Sequence, residues 1–343
     1  MSESIIEIRD LVVKFPLYRG TIYAVNNVSL NIERGSITAL VGESGSGKST
    51  IASAMLAMVS NPGVIDPASH ILFDGQDVLS LNKEDLRQYR WRDVSMVFQA
   101  AQSCLNPVYT IGEQILETYR AHGDKRSDKA LMEEANVYME YMRLDGERVM
   151  RSYPHELSGG MKQRVMIAFA MLLKPKVIIL DEPTTALDVI TQDSIFTILQ
   201  KINEDFGITL ILLTHDIAVV AKVATHMAVM YAGTVVEEGD VFDMFYHPMH
   251  EYTRQLIASA PSLMDDLENR HSITGSPPDL LKLPEGCYFS PRCARCDENC
   301  LKNRPQTEIV GEGRAVACFK WQEILNESKK GGERVWTKQR RPS

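Results

Sequence analysis

Gly42-Glu43-Ser44-Gly45-Ser46-Gly47-Lys48-Ser49 is the stretch on which the reading of this 343-residue chain turns. Its spacing is G-x-x-x-x-G-K-[ST]; it follows a strand candidate at 36–41 and opens a helical pattern near Gly47. Residues without a Cβ let backbone N–H groups close around phosphate oxygens, and a helix N-terminus aims positive potential at the same point. In that frame Lys48 reaches the β- and γ-phosphates of a nucleotide, and the Ser49 hydroxyl ligates Mg²⁺. A strand before the loop and a helix after it predict an α/β fold around a parallel sheet.

Working outward, 177–180 is apolar throughout, as a strand buried on both faces must be. A helical pattern over 192–206 leads into a third strand at 209–214, which makes a strand–helix–strand unit with parallel strands. Asp181 and Glu182 follow the second strand at its carboxyl end, where open parallel sheets bind ligands. Asp181 suits a magnesium shell, and Glu182 is placed to orient or deprotonate an attacking water. Either acid alone would ordinarily be a helix cap, and His215, at the end of the third strand, a structural residue. With the phosphate loop on the same rim, the three form a site. Leu157-Ser158-Gly159-Gly160 precedes a long apolar helix starting near Met161 and makes a second serine- and glycine-lined helix N-terminus. Two anion cradles with one lysine loop suggest that the second serves another subunit's nucleotide; a plain N-cap by Ser158 is the alternative.

The proportions are those of a globular chain: 44% apolar, 24% charged, net charge −8. Length suggests two domains, and the apolar content excludes a disordered chain or a small disulfide scaffold. No apolar run approaches the roughly 20 residues of a membrane helix, and the acidic start MSESIIEIRD is unlike a secretory signal. A cytoplasmic location is therefore expected. The acidic balance argues against a nucleic-acid partner. Lys329, Lys330, Arg334, Lys338, Arg340 and Arg341 form a late basic run, a solvated tail or else a lipid-headgroup contact. Between Gln99 and Leu157 lies a mostly helical stretch, and Pro, Gly and Ser gather at 275–278 and 284–286 as a linker.

These motifs, in this order, resemble the ATPase subunits of ATP-binding-cassette (ABC) transporters over about residues 5–260. The octapeptide resembles their Walker A motif, 177–182 Walker B with the catalytic glutamate, and 157–164 the signature motif. Ala186-Leu187-Asp188 resembles the D-loop, Gln99 the Q-loop and His215 the switch histidine. The resemblance implies a RecA-like parallel sheet core with an antiparallel β subdomain and an inserted helical signature subdomain. It implies a nucleotide-binding domain at 1–260 (helical subdomain about 100–165), a cysteine-containing extension at 261–328 and a basic tail at 329–343. ATP would lie on Gly42, Glu43, Ser44, Gly45, Ser46, Gly47, Lys48, Ser49 and Thr50, with Mg²⁺ at Ser49, Gln99 and Asp181. Catalysis would fall to Glu182 and His215, and Ser158, Gly159, Gly160, Gln163 and Asp188 would face the nucleotide of a second ATPase subunit. Phe15 fits the adenine-stacking aromatic by spacing, with Tyr18 and Tyr23 as competitors.

His250-Glu251-Tyr252-Thr253, Leu256, Ala260-Pro261, Gly275-Ser276-Pro277-Pro278 and the run 283–293 resemble importers of oligopeptides, dipeptides and nickel. That subfamily implies two transmembrane permease subunits, an extracytoplasmic solute-binding protein, a second ATPase that is commonly a different chain, and a place on the cytoplasmic face of the membrane. Peptides are the expected cargo, with oligosaccharides and nickel complexes as alternatives. Glu251 replaces a usual proline, and Ala100-Ala101 stand where many relatives have an acid and a proline. A soluble cassette ATPase acting on DNA or ribosomes is the competing class. It would need a longer insertion than the 57 residues between Gln99 and Leu157, a second cassette or a basic surface.

Five of the six cysteines lie within 32 residues: Cys287, Cys293, Cys296, Cys300 and Cys318. Such density in a reducing compartment points to a metal, and spacing alone leaves iron–sulfur and Zn²⁺ level, with free thiols third. The subfamily resemblance favours a [4Fe-4S] cluster on Cys287, Cys293, Cys300 and Cys318, with Cys296 supernumerary or an alternative ligand.

Overall fold

The computed structural model describes residues 3–99, 103–185, 187–259 and 273–330. Ala100, Ala101, Ala186, Ala260, Pro261 and the basic tail beyond Lys330 lie outside them. The chain opens with β1 (Ser4–Leu17) paired to β2 (Gly20–Glu33) as an antiparallel hairpin. Next come β3 (Ile37–Val41) and α1 (Lys48–Met55), which bracket the glycine-rich loop. The short strands β4 (Val64–Ile65), β5 (His70–Phe73) and β6 (Gln76–Asp77) join the hairpin in a five-stranded antiparallel sheet. After α2 (Lys83–Arg92) and β7 (Val94–Val97) the chain leaves the sheets.

The stretch from Gln99 to Leu157 is helical: α3 (Ile111–Ala121), α4 (Asp128–Tyr141) and α5 (Gly146–Arg151) start behind the caps Thr110, Ser127 and Asp145. Then follow α6 (Gly159–Met171), β8 (Val177–Asp181), α7 (Val189–Phe206), β9 (Thr209–Thr214), α8 (Ile217–Val223), β10 (His226–Tyr231) and β11 (Thr234–Asp240). The C-terminal part holds α9 (Val241–Tyr246), α10 (Glu251–Ala258), α11 (Glu298–Lys302), β12 (Glu308–Gly311), β13 (Arg314–Val316) and α12 (Trp321–Lys330).

The main sheet has the order β12-β13-β11-β10-β3-β9-β8-β7 and is parallel from β10 to β7. Its central strands are buried on both faces, and their alternate residues feed two cores. Ile178, Leu180, Leu210 and Leu212 face a core shared with α6 and α7; Val177, Ile179, Ile211 and Leu213 face one shared with the antiparallel sheet and α1. A half-buried strand would alternate apolar with polar residues, so the unbroken apolar runs are what a sheet covered on both sides requires. All carboxyl ends of the parallel strands therefore reach one rim.

The sequence pattern sets β9 correctly and misplaces other edges by a few residues. Asp181 is the last residue of β8, Ser158 caps α6 so that it starts at Gly159, and Asp188 caps α7 so that it starts at Val189. The cysteine-bearing extension is not set apart from the sheet, because β13 pairs antiparallel with β11 through Glu237↔Val316 and Glu238↔Ala315.

Candidate active site

The phosphate loop is shaped by backbone crowding. At Gly42 a Cβ would stand 2.2 Å from the Met230 carbonyl oxygen, and at Gly47 (φ 104°) 2.3 Å from that of Ala24. Neither position admits a side chain. Lys48 curls beneath the loop, its Nζ donating to the carbonyls of Gly42 (2.6 Å) and Glu43 (3.0 Å) and to Ser46 Oγ (3.4 Å). Burial lowers the Lys48 pKa, and the carboxylates of Glu182, Asp181 and Glu43 oppose that shift. Asp181 is 5% exposed and burial raises its pKa; the nearby Ser49 hydroxyl pulls the other way. A buried carboxylate beside a hydroxyl is a hard-oxygen donor pair that suits Mg²⁺.

Glu182 sits in left-handed backbone (φ 46°), held there by its N–H bond to the Leu213 carbonyl of β9 (2.9 Å). That conformation turns its carboxylate onto three donors from three segments. Gln99 Nε2 reaches Oε2 at 2.9 Å, Thr185 Oγ1 reaches the same oxygen at 3.1 Å, and His215 Nδ1 reaches Oε1 at 2.9 Å. An ionised carboxylate only accepts, so the proton of this contact lies on His215 Nδ1. The structure thus gathers Gln99, Glu182 and His215 into one cluster; sequence reasoning missed Thr185, the third donor.

Ser158 accepts the Met161 N–H at 3.3 Å, and Asp188 accepts both the N–H (2.9 Å) and the hydroxyl (2.7 Å) of Thr191. A Cβ at Gly160 would lie 2.8 Å from the Thr191 methyl, so the signature segment and the start of α7 abut. Gln163 is buried in α6. Phe15 is half-buried on β1 and packs against the core around Val59 and Gly63, whereas Tyr18 and Tyr23 are exposed.

Cys287, Cys293, Cys300 and Cys318 line one small cavity of about 20 Å³, together with Glu251 and Arg295; Cys296 is not among the lining residues. Gly286 permits this: a Cβ there would stand 2.2 Å from the Cys300 carbonyl, which accepts the Cys287 N–H at 2.8 Å. Burial pushes Cys293 up to about 11 and Cys318 up to about 12. Among the described residues no three His, Cys, Asp or Glu side chains stand as a ready site for a metal ion. The cavity's four thiols suit Zn²⁺ or an iron–sulfur core better than a hard cation, and the carboxylate of Glu251 is taken up by Arg254 and Arg295.

Sequence reading also missed a contact between this region and the phosphate loop. Arg292 forks onto the Glu43 carboxylate at 2.6 and 2.9 Å, and Tyr252 Oη accepts the Glu43 N–H at 3.0 Å.

A phosphate loop after β3, a carboxylate held just past the end of β8 with β9 between them, and the second serine- and glycine-lined helix start at Ser158 together define an ATP-binding cassette. Residues 25–185 match the model of the ABC transporter family, and 236–300 that of the oligopeptide/dipeptide transporter C-terminal region. The dipeptide transport ATP-binding protein DppD of Caldanaerobacter subterraneus subsp. tengcongensis is 45% identical over 93% of this chain and 98% of its own. The oligopeptide transport ATP-binding protein OppD of Escherichia coli is 39% identical over 93% and 94%. A dimeric post-hydrolysis ATP-binding cassette bound to ADP and Pi superposes with a TM-score of 0.62 at 30% identity, covering 69% of this chain and 98% of that one. The chain belongs to the ATP-binding subunits of the oligopeptide/dipeptide branch of ABC transporters, which are ATPases coupled to transport.

Proposed function

We propose that this chain hydrolyses ATP to power import of di- and oligopeptides through two permease subunits fed by an extracytoplasmic binding protein. The observation that carries the reading is the Glu182 carboxylate, held by Gln99, Thr185 and His215 beside the phosphate loop. In this reading the loop from Gly42 to Ser49, with Thr50, binds the phosphates, and Phe15 meets the adenine. Glu182 orients the attacking water and takes its proton; His215 and Thr185 fix the carboxylate. Ser49, Asp181 and Gln99 would hold Mg²⁺, which when bound neutralises phosphate charge. Ser158, Gly159, Gly160, Gln163 and Asp188 would complete the nucleotide site of a second, different ATPase chain. Among the described residues no helix is long and apolar enough to cross a membrane, which supports a peripheral place on the cytoplasmic face with the pore left to partners.

The thiol-lined cavity supports a [4Fe-4S] cluster held by Cys287, Cys293, Cys300 and Cys318 as a structural clamp. Anaerobically purified protein should contain iron and sulfide and absorb near about 400 nm; zinc without sulfide would reverse that assignment. The import function is tested by reconstituting the co-purifying permeases and binding protein in vesicles. ATP-dependent uptake of labelled peptides is expected, and uptake of only sugars or nickel complexes would replace the proposed cargo.

A further inference from the structure

Glu43 is the first non-glycine residue of the phosphate loop, and all of its polar groups are engaged. Its N–H goes to Tyr252 Oη at 3.0 Å, its carbonyl takes Lys48 Nζ at 3.0 Å, and its carboxylate takes the Arg292 fork at 2.6 and 2.9 Å. Two of these three partners come from outside the motor's own motifs. Tyr252 lies in the first turn of α10, and Arg292 adjoins Cys293, 249 residues along the chain from Glu43.

Arg292 is itself held on every side. Only 8% exposed, it donates Nε to the Thr274 carbonyl at 2.9 Å and Nη1 to Tyr231 Oη at 3.3 Å. The guanidinium carbon lies 5.7 and 5.8 Å from the ring centres of Tyr231 and Phe289, which pack against each other and against Tyr252. A buried arginine clamped by two rings and a carbonyl has little freedom left to lose, so it acts as a fixed point for what it grips. What it grips is flanked by glycines: Gly42 before, and Gly45 (φ 80°) and Gly47 (φ 104°) after. Such a loop loses much conformational entropy when it closes on phosphates. A rigid anchor at Glu43 lowers that cost before any nucleotide arrives.

We propose that Arg292 is a positioning residue for the nucleotide: the cysteine-bearing extension reaches back through Arg292 to preset the phosphate loop of its own subunit. This rests on the ATPase reading above and adds that the cassette is incomplete without its extension.

The test measures the affinity of the full-length chain for Mg-ATP by titration with a fluorescent ATP analogue, and KM and kcat in the assembled transporter. R292M and E43Q should each raise Kd and KM about tenfold with kcat within about twofold, because the charged fork is lost before chemistry begins. The double variant should be no worse than either single one, since both remove the same contact. R292K keeps the charge without the fork and should stay closer to R292M than to the parent. If R292M does not fold, E43Q carries the test, for it leaves Arg292 and the cysteines untouched. KM values within about twofold of the parent in E43Q, or singles whose effects multiply in the double, would overturn the role of Arg292. A parent chain that binds no ATP would overturn the underlying function instead.

Discussion

At the scale of single residues, environment decides what chemically similar side chains do. Asp181 and Glu182 are neighbours, yet Asp181 ends a buried strand beside Ser49 while Glu182, one residue on in left-handed backbone, turns to Gln99, Thr185 and His215. In the proposed role Glu182→Gln keeps the shape and loses the base. ATP-driven dimer closure should survive, and steady-state phosphate release should fall at least about a hundredfold. Undiminished phosphate release in the assembled transporter would remove Glu182 from catalysis. His250 gives a different kind of prediction. It is 2% exposed, burial lowers its pKa from 6.5 to about 4, and Glu251 only partly opposes that shift. Its Nδ1 also accepts the Tyr252 N–H at 3.0 Å, which a protonated ring cannot do. The folded pKa is depressed, so the unfolded chain binds the proton first, and stability falls as pH drops from about 6.5 to about 4. Between pH 7 and pH 5 this amounts to about 2 kcal/mol. His250→Asn keeps an acceptor for Tyr252 and should flatten that part of the urea-midpoint profile; an unchanged slope would show that other groups set it.

At the scale of elements, the legible part of the fold is the part whose sequence pattern has one physical cause. Strands β3, β8 and β9 are buried along their whole length and mostly apolar because both faces are covered, and the octapeptide fixes the turn into α1. The β1–β2 hairpin was implied by the resemblance alone, since its register shifts between Ser4 and Lys14 break the alternation a strand should show. β7 is short and interrupted by Ser95, so it shows no unbroken apolar run. In the site, Gly42 to Ser49, Asp181, Glu182 and His215 were legible as motif residues, whereas Thr185 and Arg292 carry no local signal. Their meaning arises only when the chain folds back. The start of α6 separates a structural role from a functional one. Ser158→Ala removes the cap and should cost about 1 kcal/mol in denaturant unfolding. Ser158→Asp retains a good cap and suits the helix N-terminus, so stability should stay within about 0.5 kcal/mol of the parent. The same carboxylate would repel a partner's nucleotide, and ATP-driven association measured by light scattering should be lost. Association that persists in Ser158→Asp would reduce this segment to an ordinary helix start.

At the scale of the whole molecule, motor and extension are one body because they share a sheet. β13 pairs with β11, and the join is sealed by Arg314, which reaches Glu237 at 3.3 Å and also donates to the His247 carbonyl. Glu237 is 1% exposed; burial raises its pKa, and the N–H groups of His250 and Met249 and the Arg314 guanidinium offset that shift. Its two backbone donors, at 2.9 Å each, belong to the segment that leads into α10, so one carboxylate fastens β11, β13 and α10 together. Removing the cation leaves a buried charge with neutral partners only. Arg314→Met should therefore destabilise the chain by about 3 kcal/mol in equilibrium unfolding, the low end for a broken buried pair because the two backbone donors remain. Glu237→Gln combined with Arg314→Met should recover more than half of that loss, since a neutral amide no longer needs the guanidinium. An Arg314→Met variant within about 0.5 kcal/mol of the parent would mean that the sheet holds the extension without this pair. If the pair does hold it, the same variant should also weaken nucleotide binding, because an extension loosened at β13 no longer presents Arg292 squarely to Glu43.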